Sequence, residues 1–274
     1  MTTTTIRTTG LGLKSLADRM LRASTVFWFA VAVIGQWAFV VYIASRYWRP
    51  AVLGHFAAVK TTDLIKGYVA GDGVGNLYFA AHVLIAALIT TSGALQLVPQ
   101  IRSRAIGFHR WNGRFYIATA FLMAASGLWL IWVRGTYFTI YGALSSTLLA
   151  ALLMLCATLA LVYARARKIA IHRQWALRTF ILANGVWFQR LGYMAWSILA
   201  RGAGIGDHLD GPFDIVWGFG CYLFPLATLE VYLWTKANAG PVGRFAMATA
   251  LVVLTATMGI GIVGAAMFMW GPHL

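Results

Sequence analysis

Seven stretches of this chain are almost continuously apolar, near residues 25–45, 77–98, 115–133, 140–162, 179–200, 213–235 and 246–269, and more polar joints separate them, the longest at 46–76. Each approaches the roughly 20 residues that carry an α-helix across a hydrocarbon layer about 30 Å thick. The pattern predicts an all-α fold: a polytopic membrane protein built as a bundle of seven transmembrane helices. No linker or low-complexity tract divides it, so a single bundle is expected. Along the chain the pattern gives an N-terminal segment (1–24), a first span with its outer loop (25–76), a four-helix core (77–200), and an acidic outer loop with the last two spans (201–274).

Local signals refine this outline. Within 11–22, Leu13, Leu16 and Met20 fall on one side while Lys14, Arg19 and Arg22 can reach headgroups, which reads as an interfacial helix. The glycine-rich joint from Gly67 to Asn76 mimics a phosphate loop in composition only. It lacks the Walker pattern and the strand-to-helix setting, so it reads as a lid or a plain connector. Pro225 should kink the sixth span, which follows the acidic cluster Asp207, Asp210 and Asp214. Thr257, Gly261 and Ala265 form a small-residue stripe on the seventh, along which another helix can approach closely.

Charge fixes the expected orientation. Only 11% of residues are charged and the mean hydropathy is +0.74, whereas soluble domains carry about 25% charged residues. A net charge of +15 would point to nucleic acid in a soluble protein, but here its placement is topological. With the N-terminus cytoplasmic, Arg7, Lys14, Arg19, Arg22, Arg102, Arg104, Arg110 and Arg114 fall inside, as do Arg165, Arg167, Lys168, Arg173, Arg178, Lys236 and Arg244. Only Arg46, Arg49, Lys60, Lys66, Arg134 and Arg201 fall outside. The positive-inside rule then gives a cytoplasmic N-terminus and an outer C-terminus in a bacterial inner membrane. No nucleic-acid-binding fold accompanies the charge. Cys156 and Cys221 lie in spans at opposite leaflets, so no bridge between them is expected.

Three features stand out against the apolar background. Arg190 falls near the middle of the fifth span. A charged side chain there costs at least about 2.5 kcal/mol on insertion scales, so it needs polar partners. A buried pair with Glu230 would supply one, with Asn184, Gln189 or Tyr193 sharing the hydrogen bonding; an anionic ligand, a haem propionate or a quinone oxygen would serve equally. His82, just inside the outer end of the second span, has the chemistry of a haem or metal ligand or a proton carrier, with His55 and His208 as outer-side neighbours. Two similar boxes precede the third and fifth spans: His109-Arg110-Trp111-Asn112-Gly113-Arg114 and His172-Arg173-Gln174-Trp175-Ala176-Leu177-Arg178. Arg110 and Arg114 share a helix face and repel unless an anion lies near them. Headgroup anchoring explains the arginines and tryptophans of both boxes; a histidine at the same place in each is what anchoring explains poorly. No nucleophile elbow, Cys-x-x-Cys or His-Glu-x-x-His is present, so hydrolase and protease readings have little support.

His82, then Gly93-x-x-Gln96-x-x-Pro99 with Arg102, then His109-Arg110-x-x-Gly113-Arg114-x-Tyr116, then His172-Arg173-x-Trp175-x-x-Arg178, resemble a family of predicted bacterial membrane proteins, the domain of unknown function 2306. The resemblance spans roughly 78–200 and departs from the family at Ala176, where a methionine is common. It implies no activity. It implies only that His82, His109, His172 and Arg190 belong to one site system.

The leading expectation is a redox protein, a membrane oxidoreductase with b-type haem or quinone among spans two to five. His82, His109 and His172 are the candidate ligands, and Arg190 holds a propionate or ring oxygen. A second is a small-anion or lipid transporter, or a lipid-binding protein, in which Arg110, Arg114, Arg173 and Arg178 grip a phosphate or carboxylate and Glu230 is a structural partner. A third is an accessory subunit of a membrane complex. The expected partners are membrane lipids and either a second copy of the chain or a larger complex, with no nucleic acid. A reporter that is active only in the cytoplasm should be active when fused after Arg167 and silent when fused after Gly135; the opposite result would invert the orientation.

Overall fold

The computed structural model of the chain describes residues 2–55, 59 and 67–273, with side chains described within 12–272. Among the described residues every regular element is a helix, and the Tyr68 amide donates to the Val59 carbonyl at 2.8 Å. The elements are α1 (Thr2–Ile43), α2 (Arg49–Val52), α3 (Gly73–Leu97), α4 (Pro99–Arg104) and α5 (Ile106–Trp132). They continue with α6 (Ile140–Arg165), α7 (Ile169–Ala183), α8 (Gly185–Ala200), α9 (Pro212–Asn238) and α10 (Pro241–Gly264). Two π-helical turns, Ala44–Trp48 and Ala265–Trp270, extend α1 and α10. In hydrocarbon a backbone must satisfy its own polar groups, and helices do so within one segment.

Six helices among the described residues are long and apolar enough to cross a membrane. The stretch expected as a further span, 179–200, is instead divided between α7 and α8 at Asn184. An Asn-Gly pair interrupts the apolar run there, and such a dipeptide favours a turn. The two halves still run in series. His172 of α7 bonds Ala160 near the end of α6, while Ile198 of α8 lies against Gly264 at the far end of α10. Successive helices therefore alternate between a box end and a far end.

Residues 11–22 are part of α1, which runs without a break from Thr2 to Ile43. Leu13, Leu16 and Met20 are exposed, whereas Ala17 and Leu21 are buried. Leu21 packs against Met247, Ala248 and Leu251 of α10, and Asp18 pairs with Arg244. α10 lies alongside this part of α1 and supplies the partners of Asp18 and Leu21.

The glycine-rich joint is a fixed connector in its described part, 67–76. Asp72 caps α3 by accepting from the Gly75 amide at 2.8 Å, and Arg134 bonds Asp72 at 2.8 Å and Gly67 and Asn76 at 2.9 Å each. Lys60 and Lys66, placed outside by charge, lie outside the described residues. Cys156 and Cys221 are both free thiols.

The small-residue stripe on α10 serves packing inside the bundle. A Cβ on Gly261 would come within 2.5 Å of the Leu191 carbonyl oxygen of α8, whereas a Cβ on Gly259 would meet nothing. Gly261→Ala should therefore lower the stability of the detergent-solubilised protein by roughly 1–3 kcal/mol through overpacking. Gly259→Ala should be neutral or slightly stabilising, because alanine is the better helix former. Paired thermal unfolding measurements check both, and equal effects would contradict this packing.

Candidate functional site

Both boxes are the first turns of helices rather than preludes to them. Gln96 Nε2 donates to the His109 carbonyl at 3.0 Å; Ser92 and Asn112 exchange two hydrogen bonds of 2.9 Å. A Cβ on Gly93 would lie 2.8 Å from the Tyr116 ring, and one on Gly113 3.6 Å from Gln96. Gly93, Gln96, Asn112, Gly113 and Tyr116 thus hold α5 against α3. That spacing lets two helices approach with their polar groups paired, and it accounts for most of the first motif without any ligand. Arg110, Trp111 and Arg114 are left exposed, with the Arg114 guanidinium 5.2 Å from the Trp111 ring.

The second box is used differently. His172 Nδ1 lies 2.8 Å from the Ala160 carbonyl oxygen. A carbonyl only accepts, so Nδ1 carries a proton, and in the neutral ring Nε2 then holds the lone pair. Arg178 makes two bonds to Glu230, at 2.6 and 2.7 Å, and its guanidinium stands 4.6 Å from the Trp175 ring. The paired, planar geometry is the strong form of such contacts. Glu230 is therefore the partner of Arg178, and the expected Arg190–Glu230 pair does not form. Asn184, Gln189 and Tyr193 do not satisfy Arg190 either. Asn184 bonds Gln36 and Phe180, the Gln189 carbonyl accepts from Trp217, and Tyr193 bonds Asp214.

The four residues expected to form one site system separate into two pairs. His109 lies within electrostatic reach of His172 and Arg102 at the box end, and its Nδ1 is buried without a partner. His82 belongs to the other half of the bundle, where Nδ1 meets Ser126 Oγ at 2.9 Å and Arg190 is within electrostatic reach. His55 and His208 are exposed in the loops, and neither shares a hydrogen bond with His82. Among the described residues no group of three or more His, Cys, Asp and Glu side chains is arranged to hold a metal ion.

Sequence reasoning missed a cavity of about 590 Å³ bordered by α1, α7, α8, α9 and α10, with Leu97 of α3 also in its lining. Phe180, Ile181, Phe188, Leu191, Leu229 and Met258 make its walls apolar, and Arg173, Gln174 and Lys236 give it a polar rim. Arg173 and Lys236 are at the box end, with Lys236 Nζ 5.9 Å from the Tyr232 ring. The cavity exists because α9 and α10, although consecutive, lean on different neighbours: α9 bonds α6 through Ser145 and Tyr222, while α10 packs on α1 and α8. Pro225 lies in its wall; lacking an amide proton, it leaves the Cys221 carbonyl without its intrahelical donor. Pro225 was a visible signal, but the space it borders required the helix arrangement.

These features define a multi-pass helical membrane protein whose internal cavity has a basic rim at one end. Residues 79–205, from Phe79 of α3 to the turn after α8, match the model of a family described as a predicted membrane protein, DUF2306. Neither curated proteins nor solved structures give a significant match to the chain.

The ion-pair assignment is open to a double-mutant cycle. Arg178→Ala with Glu230→Ala should show a coupling of about 0.5–1 kcal/mol in detergent, the range of a partly exposed pair. Arg190→Gln with Glu230→Ala should show none. Coupling in the second cycle would restore the Arg190–Glu230 pair.

Proposed function

We propose that this chain binds an amphiphile with an anionic headgroup, a lipid or lipid-like molecule, in the cavity between α1, α7, α8, α9 and α10. The observation that carries the reading is the pairing of apolar walls with Arg173 and Lys236 at one rim. An apolar cavity does not hold water well, and its volume falls in the range of about 300–1,000 Å³ usual for small-molecule sites. Acyl chains are the most abundant molecules able to fill it in a membrane. Two cations at the rim favour a phosphate or carboxylate head over a zwitterion or a sugar. The reading places the protein in the bacterial inner membrane with its boxes cytoplasmic, where Arg110, Arg114 and Trp111 grip headgroups around the same face. Lipid binding, transfer or transport all follow from such a site.

One observation favours the redox reading. With Nδ1–H held by the Ala160 carbonyl, His172 presents Nε2 in the manner of a metal-ligating histidine. The cavity itself has no histidine among its described lining residues, so a haem within it would have no axial imidazole. A quinone needs no such ligand and would fit the same walls.

Native mass spectrometry with solvent extraction of the purified protein separates these outcomes. An anionic lipid should co-purify with the wild type and be lost from Arg173→Gln/Lys236→Gln and from Thr228→Trp, which fills the cavity. A quinone in the extract, or a reduced α-band of b-type haem in the absorption spectrum, would replace the lipid reading. Retention of the lipid by both variants would remove it.

A further inference from the structure

On the opposite side of α8 from the cavity, Arg190 has too few partners. A guanidinium carries five N–H donors. Among the described residues the Arg190 side chain makes one hydrogen bond, from Nη1 to the Val186 carbonyl at 3.1 Å, and the group stands 5.3 Å from the Phe39 ring. The carboxylates of Glu230, Asp214, Asp72 and Asp18 are engaged by Arg178, Tyr193, Arg134 and Arg244. Val186 lies one turn toward the break at Asn184, so the side chain runs toward the middle of the bundle. It does not reach for headgroups at the nearer, far-end surface, the usual escape of a membrane arginine.

Further donors lie in the same packed cluster. The indole N–H groups of Trp187 and Trp270 are buried with no acceptor, and both rings pack with Phe39 and Tyr42 in one core. The Trp270 ring is 5.5 Å from Phe39. Gln36 Oε1 is buried and unpaired as well, but it does not bond Arg190. The two π-helical turns, Ala44–Trp48 and Ala265–Trp270, border this region; such turns are rare and frequent at functional sites. A positive group and unused N–H donors complement an oxygen-rich anion.

We propose that Arg190 is the centre of a second binding site, for a small oxyanion, a carboxylate or phosphate group presented either free or at the head of a lipid. The planar fork of the guanidinium grips two oxygens at once, the Phe39 ring supports its face, and His82 limits the site on the α3 side. This site is independent of the cavity, whose α8 residues Phe188, Leu191, Gly192 and Ala195 face elsewhere.

The experiment uses the full chain in an uncharged detergent, in an Arg173→Gln/Lys236→Gln background that removes the cavity's cationic rim. Thermal unfolding is followed against inorganic phosphate, with chloride at equal ionic strength as control, and separately against phosphatidylglycerol in mixed micelles. A rise in Tm of several degrees that disappears in Arg190→Gln supports the site. A response to phosphate identifies a free anion, and a response to phosphatidylglycerol alone identifies a lipid-borne one. Arg190→Lys keeps the charge without the fork and covers the case in which Arg190→Gln fails to fold. It should need roughly ten times more probe for the same shift. No shift with either probe, or an unchanged half-point in Arg190→Lys, overturns the proposal.

Discussion

Gln36 of α1 donates to Asn184 Oδ1 at 3.1 Å, deep in the bundle, and this bond stands at the one place where an expected membrane span is broken. Backbone polar groups left open in hydrocarbon cost several kcal/mol each, so such a break survives only if its groups find partners. Here they do. The Asn184 amide reaches the Ile181 carbonyl at 3.2 Å, its side-chain nitrogen the Phe180 carbonyl at 2.8 Å, and its own carbonyl accepts from Phe188 at 2.9 Å. Gln36 takes the remaining side-chain oxygen and ties the junction to α1. Once α8 is freed from the line of α7, its two faces look onto different surroundings: the cavity on one side and the Arg190 cluster on the other.

The two boxes show how similar words can carry different structural duties. In the first, Asn112 and Gly113 are spent on the contact with α3, and the arginines are released to the surface. In the second, His172 ties α7 to α6, Arg178 ties α7 to α9, and Arg173, Gln174 and Leu177 remain to line the cavity. A histidine at the same place in each box drew attention in the sequence. In the fold, His172 has an acceptor for its Nδ1 proton, whereas His109 Nδ1 has no partner.

The ion pairs of the described residues all connect separate parts of the chain. Asp18–Arg244 joins α1 to α10, Arg178–Glu230 joins α7 to α9, and Arg134–Asp72 joins the loop after α5 to the start of α3. In a chain with so few acids, each carboxylate so used is unavailable to Arg190. Asp207 and Asp210 stay exposed in the loop before α9, and among the described residues the Arg190 guanidinium keeps only the Val186 carbonyl as a hydrogen-bond acceptor.

Sequence alone determined the class of fold, because twenty-residue apolar runs in a bilayer admit few structures other than helices. It also determined the basic character of one end, and it pointed to Arg190 and both boxes, since charged and aromatic groups in an apolar chain declare themselves individually. The Asn-Gly break was visible in principle, but the length of the apolar run outweighed it. Tertiary structure alone decided which groups meet. The Arg178–Glu230 pair, the docking of residues 11–22 on α10, the separation of His82 from His109 and His172, and the cavity all depend on how helices lean on one another. Helix packing is set by small residues at close contacts such as Gly261 on Leu191 and by side chains from distant segments. Hydropathy along a single chain records neither.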